Sequence, residues 1–141
     1  MQQLIICKGL PGSGKTTFAR KWVNESPKTR IRVNRDDIRR MLGPYWIPTR
    51  EDLVTSIEKD STRTAINGGF SVIVDATNFK HQWLLDCFNN WKKYNPELEL
   101  IIKDFTDVSI ETCIERDKLR PKEEQVGEKV IQNMYDKYLK K

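Results

Sequence analysis

The residues with the clearest chemical purpose lie near the start of the chain. Positions 9–17 read Gly-Leu-Pro-Gly-Ser-Gly-Lys-Thr-Thr, which fits the phosphate-loop pattern G-x-x-x-x-G-K-[ST] from Gly9 to Thr16. Glycine at 9, 12 and 14 lets the backbone approach a ligand closely in conformations that a Cβ would forbid. The N–H groups of Gly12, Ser13, Gly14, Lys15, Thr16 and Thr17 can then turn inward as a nest for phosphate oxygens. Lys15 brings a point charge to the β- and γ-phosphates, and the Thr16 hydroxyl suits Mg²⁺. A helix beginning here would direct its positive end at the same anion. The flanks agree with this reading. Leu4-Ile5-Ile6-Cys7 is a short apolar run suited to a buried parallel strand, and Phe18, Ala19, Trp22 and Val23 follow at helical spacing.

A triphosphate held this way can be hydrolysed, transferred or used as a switch, and residues beyond later strands choose among these. A hydrolase commonly carries a glutamate after the aspartate of the third strand, whereas Ala76 follows Asp75 here. Asp36 stands at a strand end beside Arg35, where a carboxylate can accept the proton of an attacking hydroxyl. Arg39 is three residues on, so it shares a helical face with Asp36 and can grip an acceptor phosphate. Asp37 reads as the cap of that helix. Asp75 is either a carboxylate behind the magnesium or a turn residue bonding its own loop. Arg116 and Arg120 lie four apart before a basic, proline-containing loop that reads as a lid. They can neutralise charge on a transferred phosphoryl group, or form a solvated face. Trp46, next to Tyr45 in a loop, is the candidate for stacking on a base, in competition with closing the core. His81, the one histidine, reads as a surface residue.

Strands are expected at 4–8, 31–34, 70–74 and 98–105, and helices at 15–24 and 36–42. Thr49 and Asp52 resemble a capping box opening a helix to 67, with Leu53, Ile57 and Ala65 inward and Gly68-Gly69 as its end. Trp83, Leu84, Cys87, Phe88 and Trp91 make a helical stripe to about 94. Ile110, Cys113 and Ile114 face inward on the next helix. Val130, Ile131, Met134, Tyr135, Tyr138 and Leu139 mark an amphipathic helix after the loop at 119–127. The order βαβααβαβαα without hairpin signals predicts an α/β fold around the phosphate loop. Its parallel sheet has four strands, a fifth being left open, with helices on both faces and a helical lid. Ligands of such sheets sit beyond the carboxyl ends of the strands, where the loop, Asp36 and Asp75 would gather.

At 141 residues one domain over 1–141 is expected. Lys+Arg 25 against Asp+Glu 20 gives +5, which suits an anionic ligand without separating ATP from nucleic acid. Cys7, Cys87 and Cys113 are far apart and read as buried free thiols of a reducing compartment. No leader is evident and no apolar run approaches the ~18 residues of a membrane span. A cytoplasmic location follows, in the host if the source is viral, with no membrane partner.

The loop at 9–17, Asn34-Arg35-Asp36-Asp37-x-Arg39, Thr77-Asn78, Arg116 with Arg120, and Met134-Tyr135 together resemble one family along essentially the whole chain. It is the kinase domain of bacteriophage-type 5′-hydroxyl polynucleotide kinase, among P-loop kinases related to adenylate kinase. The resemblance implies ATP-dependent phosphorylation of nucleic acid 5′-OH ends, DNA or RNA, with ATP as donor and Mg²⁺ as cofactor. Lys15 and Thr16 would take the phosphates and the metal, and Asp36 would be the general base. Arg39, with Thr77 and Asn78, would serve the acceptor, and Arg116 and Arg120 would clamp the donor phosphates. The family's phage member has aspartate directly before Thr-Asn, where this chain has Ala76, with Asp75 one earlier. No D-x-D-G-T stretch occurs, which implies a kinase without end-trimming activity. Two other readings stand beside this one. The same fold could act on a small molecule such as a nucleoside, sugar or antibiotic, or it could bind nucleotide without catalysis. Intact Lys15, Thr16, Asp36 and Arg120 argue against the last. A homo-oligomer is left open.

Overall fold

The computed structural model describes residues 1–140. Four strands, β1 (Gln3–Lys8), β2 (Arg30–Asn34), β3 (Ser71–Asp75) and β4 (Glu99–Asp104), form one sheet in the order β2-β3-β1-β4. All the pairings are parallel. Six helices accompany them: α1 (Lys15–Glu25), α2 (Arg35–Met41), α3 (Glu51–Asn67), α4 (Gln82–Tyr94), α5 (Ile110–Lys118) and α6 (Glu128–Tyr138). The fold is therefore the α/β P-loop kinase type that the element order and the family resemblance predict.

The inner strands explain the layering. Every residue of β3 is buried, as is the run Leu4–Cys7 of β1. A strand covered on both faces reads as a continuous apolar run. Alternation then divides it between the two layers. Leu4, Ile6, Val72 and Val74 pack with Val54, Ile66, Leu84 and Phe88 from α3 and α4. Ile5, Cys7 and Ile73 pack with Ala19 and Trp22 from α1. A smaller cluster of Leu10, Cys113 and Ile131 joins α5 and α6 to the phosphate loop. The edge strand β4 is more open, with Ile101 and Ile102 both exposed.

Several local expectations are corrected. Thr49 does not open α3: Pro48–Arg50 form a 3₁₀ turn, and Arg50 precedes the helix without a side-chain cap. Leu53 is 49% exposed, and the inner face of α3 is instead Val54, Glu58, Thr62, Ala65 and Ile66. Asp37 is not the cap of α2. Asn34 is, its side-chain oxygen accepting from the Asp37 N–H at 2.8 Å. Val130 lies off the buried face of α6, and Cys87 is only half-buried. Cys7 and Cys113 are buried free thiols, and burial, followed by the charge of Asp75, pushes Cys7 up to about 12.

Gly12 of the phosphate loop packs directly against the backbone of α5. It has φ +82°, and a Cβ there would lie 2.5 Å from the Cys113 carbonyl oxygen in α5. Gly12→Ala adds a left-handed side chain and a collision with backbone, so it should cost about 2 kcal/mol or more. A thermal melt checks this, and a variant melting with the wild type would contradict the close contact.

Candidate active site

The parallel sheet delivers its polar residues to one edge. There a cleft of about 1000 Å³ is lined by Gly12, Gly14, Lys15, Thr16, Thr17, Asp36, Arg39, Asp75, Thr77, Arg116 and Arg120, among others. The candidate residues after β1, β2, β3 and α5 thus meet in one space. Three expected members do not line it, and Ser13 is one, buried within the loop at 2% exposure. Asn78 is buried at φ +50° and its amide donates to the Cys7 carbonyl at 2.6 Å and to the Val74 carbonyl at 3.3 Å. Its amide N–H groups are spent on backbone carbonyls, and so it stitches β1 to β3. Trp46 is 59% exposed, so it does not close the core; its ring stands 5.7 Å from the Arg39 guanidinium, outside the cleft lining.

On the donor side, the Lys15 ammonium donates to the carbonyls of Gly9 and Leu10 at 2.9 and 2.6 Å. It also reaches the Ser13 hydroxyl, at 3.4 Å. Burial lowers its pKa from 10.5 to about 8; Asp75 opposes the shift and the charge of Arg120 adds to it. Thr16 donates its hydroxyl to Asp75 Oδ2 at 2.9 Å. The same oxygen accepts from Arg32 Nε at 2.8 Å and Asn34 Nδ2 at 3.2 Å. Arg116 Nη1 donates to the Gly12 carbonyl at 3.3 Å. Arg120 lines the cleft with Asp117 Oδ1 3.7 Å from its Nη1. Asp117 is buried and accepts from the N–H groups of Val126 and Gly127, both at 2.9 Å. It therefore fixes the turn between the lid segment and α6.

On the acceptor side, Asp36 Oδ1 accepts from Arg39 Nη1 at 2.7 Å and from the Tyr45 hydroxyl at 2.8 Å. Glu51 grips the other edge of Arg39, with Nε to Oε2 at 3.0 Å and Nη2 to Oε1 at 2.6 Å. This two-pronged pairing fixes the guanidinium plane, and the bonds from Arg39 lower the Glu51 carboxyl below its usual range. Burial, then the Asp36 charge, raises Tyr45 to about 12, so its phenol remains a donor. Arg32, Glu51, Tyr45 and Asp117 were not singled out for these partnerships. Their partners are distant in the chain, and only the arginine spacing hinted at acidic counterparts. His81 is partly exposed, with Nδ1 2.6 Å from the Asn78 carbonyl, and belongs to the loop framework.

The magnesium reading has a structural basis in Thr16 and the buried Asp75 carboxylate lying together, since this ion takes oxygen ligands. Among the described residues no group of three or more His, Cys, Asp or Glu could hold a metal by itself. A site relying on one hydroxyl, a nearby carboxylate and substrate oxygens is how Mg²⁺ is commonly bound.

A phosphate loop ending a central parallel strand, facing a carboxylate–arginine pair and lid arginines, defines a P-loop kinase domain. The family model described as an AAA domain matches residues 4–140. The chain belongs to that family. It is similar to an L-seryl-tRNA(Sec) kinase of Methanococcus maripaludis, 29% identical over 138 residues, covering 96% of this chain and 52% of the relative. It is also similar to a putative bifunctional polynucleotide kinase/RNA ligase of Autographa californica nuclear polyhedrosis virus, 28% identical over 155 residues, covering 99% of this chain and 21% of the relative. The chain thus spans about half or less of these relatives. Among solved structures it resembles a chain of a Pnkp1/Rnl/Hen1 complex (TM-score 0.67, 31% identity, 86% of this chain and 40% of that one). A chain of the Pnkp1/Rnl/Hen1 RNA repair complex gives TM-score 0.69 and 29% identity, covering 96% of this chain and 45% of that one. The resemblance read from the motifs holds: the domain is of polynucleotide-kinase type, and it is also related to a seryl-tRNA kinase. Among the described residues no helix is long and apolar enough to cross a membrane.

The Lys15 shift has a measurable consequence. In the free protein Lys15 is mostly charged below about pH 7 and mostly neutral above about pH 9. An anion favours the charged form, so nucleotide binding at about pH 8.5–9 should take up close to one proton per site. Affinity should fall as pH rises through that range. Calorimetry in buffers of different ionisation heat reads the uptake, and Lys15→Ala should remove it. Equal heats in both buffers would contradict the lowered value.

Proposed function

We propose that this domain transfers the γ-phosphoryl group of ATP to the 5′-OH end of a polynucleotide, DNA or RNA. The observation that carries the reading is one cleft lined by Lys15 and Thr16 and by the Asp36–Arg39 pair, which Tyr45 braces from outside it. A nucleotide-holding module needs only the first half.

The chemistry divides among the named groups. The loop N–H groups and Lys15 seat the triphosphate, while Arg116 and Arg120 approach from α5 and the lid. Mg²⁺, held by Thr16 with Asp75 behind it, would offset phosphate charge. Asp36 accepts the proton as the hydroxyl oxygen attacks the γ-phosphorus, and the bond to the bridging oxygen breaks to release ADP. A positioned base is worth about 10²–10⁴-fold. Tyr45 and Arg39 both hold Oδ1, which orients the carboxylate and leaves Oδ2 for the proton. Arg39, braced by Glu51, offers its charge to an acceptor phosphate. Thr77 lies on the cleft wall near this path, and exposed Trp46 stands where a further base could stack.

The similarity to an L-seryl-tRNA(Sec) kinase favours a second reading, in which the acceptor hydroxyl is carried by an aminoacyl-tRNA. The two are separated by offering labelled ATP with a 5′-OH oligonucleotide, seryl-tRNA, a free nucleoside and no acceptor. Label on the oligonucleotide is the expected result. Label only on seryl-tRNA would move the assignment to the second reading, and label only on the nucleoside would make the acceptor a small molecule.

Asp36→Asn keeps the shape and removes the proton acceptor, so turnover should fall by about 10²–10⁴-fold while ADP affinity stays within about twofold. Retained turnover would exclude Asp36 as the base. Arg120→Ala should reduce kcat by about 10³-fold with little change in acceptor KM, as for a group that acts on charge developing at the phosphoryl. An unaltered kcat would return this arginine to the solvated surface.

A further inference from the structure

The two edges of the sheet differ. At the β2 edge Arg30 and Arg32 alternate along the strand, both partly buried and hydrogen-bonded to neighbours, and α1 and α3 pack over it. Charge and cover are the means by which folded proteins stop an edge strand from recruiting another. β4 has little of either. Its residues pair with β1 in unbroken register, without proline or bulge, and all but Leu100 are exposed. α1 packs against β2 and β3 instead. Lys103, the one cation of the strand, lies back over the sheet with its Nζ 5.1 Å from the Phe18 ring centroid. Ile101 and Ile102 are left side by side on an open edge, 36% and 45% exposed.

Backbone direction limits what can pair there. The N–H groups of Glu99 and Phe105 donate to the carbonyls of Gln2 and Lys8, at 3.0 and 2.8 Å. Odd-numbered positions of β4 therefore face β1, and the N–H and C=O groups of Leu100 and Ile102 point to the open edge. An antiparallel strand of the same sequence must set even positions opposite even ones, so its two-fold axis passes through a residue and not between two. Residues set opposite then share a face of the sheet. Centred on Leu100, Ile101 would meet Glu99. Centred on Ile102, Ile101 would meet Lys103 and Leu100 would meet Asp104. Centred on Ile101, Ile101 meets its own copy, Leu100 meets Ile102 as a hydrogen-bonded pair, and Glu99 meets Lys103 on either side of the axis. Only this last register matches apolar with apolar and charge with opposite charge throughout.

We propose that β4 is the docking edge for a second copy of this chain, paired antiparallel about a two-fold axis through Ile101, so that the two four-stranded sheets become one. The axis stands perpendicular to the sheet. It puts both α1 helices on one face and directs the carboxyl ends of the two sets of strands opposite ways, so the two clefts open away from each other. Lys103 already lies on the α1 face, which is the face on which Glu99 of the second copy arrives. Adding one short strand buries little surface, which places the contact in the weak, reversible class. The proposal is independent of which acceptor the domain serves.

Sedimentation velocity over a rising series of protein concentrations tests it. The mass should climb from the 16.6 kDa of one chain toward twice that value. Glu99→Lys and Lys103→Glu each set like charges opposite one another on both sides of the axis, so each should weaken association by about tenfold or more. The double reversal restores opposite charges and should return association to within about threefold of the wild type. Register is read separately, in a Cys87→Ser background, Cys7 and Cys113 being buried. Under mild oxidation Ile101→Cys should cross-link to its own copy, because facing residues of a non-hydrogen-bonded pair lie about 4.5 Å apart at Cα. Ile102→Cys should not. A chain that stays monomeric throughout, single reversals without effect, a double reversal that does not recover, or cross-linking at Ile102 in place of Ile101 would each overturn the proposal. The substituted edge positions are exposed in the single chain, and the cross-link decides the register even where a charge variant fails to fold.

Discussion

One buried oxygen holds the two halves of the site in register. Asp75 is 1% exposed, and its Oδ2 accepts from Thr16 at the start of α1, from Arg32 within β2 and from Asn34 at the end of β2. Asn34 also donates to the Asp75 carbonyl at 2.8 Å, directly across the β2–β3 pairing. The far end of Arg32 pairs with Asp37 in the first turn of α2 at 2.7 Å. A buried carboxylate is tolerated only when its oxygens are supplied with donors. Here those donors come from the elements that carry the phosphate loop and Asp36. Satisfying Asp75 and aligning donor with acceptor are therefore the same structural event.

The two halves are otherwise built differently. The donor side is backbone geometry and burial: a loop closed on Lys15 by its own carbonyls, and Asn78 knitting β1 to β3 beneath it. The acceptor side is a chain of partly exposed charges running from Tyr45 through Asp36 and Arg39 to Glu51 and Arg35. Pairs of that exposure add little to stability. Their worth is orientation, since Glu51 fixes the plane of Arg39 and Arg39 fixes the carboxylate of Asp36. The first half is thus fixed by the fold itself, and the second by side-chain pairings laid on its surface.

What the sequence made legible follows from this division. The phosphate loop, the order of strands and helices along the chain and the gathering of Asp36, Asp75, Arg116 and Arg120 at one edge rest on local patterns and on a topology rule, and these are readable. The partners of the charges are not. Arg32 meets Asp75 from 43 positions away, and no local pattern encodes such a pair. Asn78 misled because a polar residue after a strand looks like a site residue, yet it satisfies carbonyls that the sheet leaves over. The inner face of α3 is legible at Ile57 and Ala65 but not at Leu53, for a related reason. Reading only apolar residues selected Leu53, whereas the buried stripe includes Glu58 and Thr62. Pro48 explains the lost cap at Thr49, because it begins a 3₁₀ turn that runs directly into the helix.

The accumulation of positive charge explains why the fold needs so many internal tethers. Lys15, Arg116 and Arg120 share the cleft with Arg20, Lys21, Arg39 and Arg40. Like charges brought together oppose folding, and burial, the main cause of the lowered pKa of Lys15, adds to that cost. Three of them are restrained by a local acceptor: loop carbonyls for Lys15, the Gly12 carbonyl for Arg116, and Asp117 beside Arg120. Asp117 holds the lid turn with the same carboxylate. These acceptors are mostly carbonyls or a carboxylate already engaged elsewhere, so they position the cations without neutralising them. The field that remains is directed into the cleft.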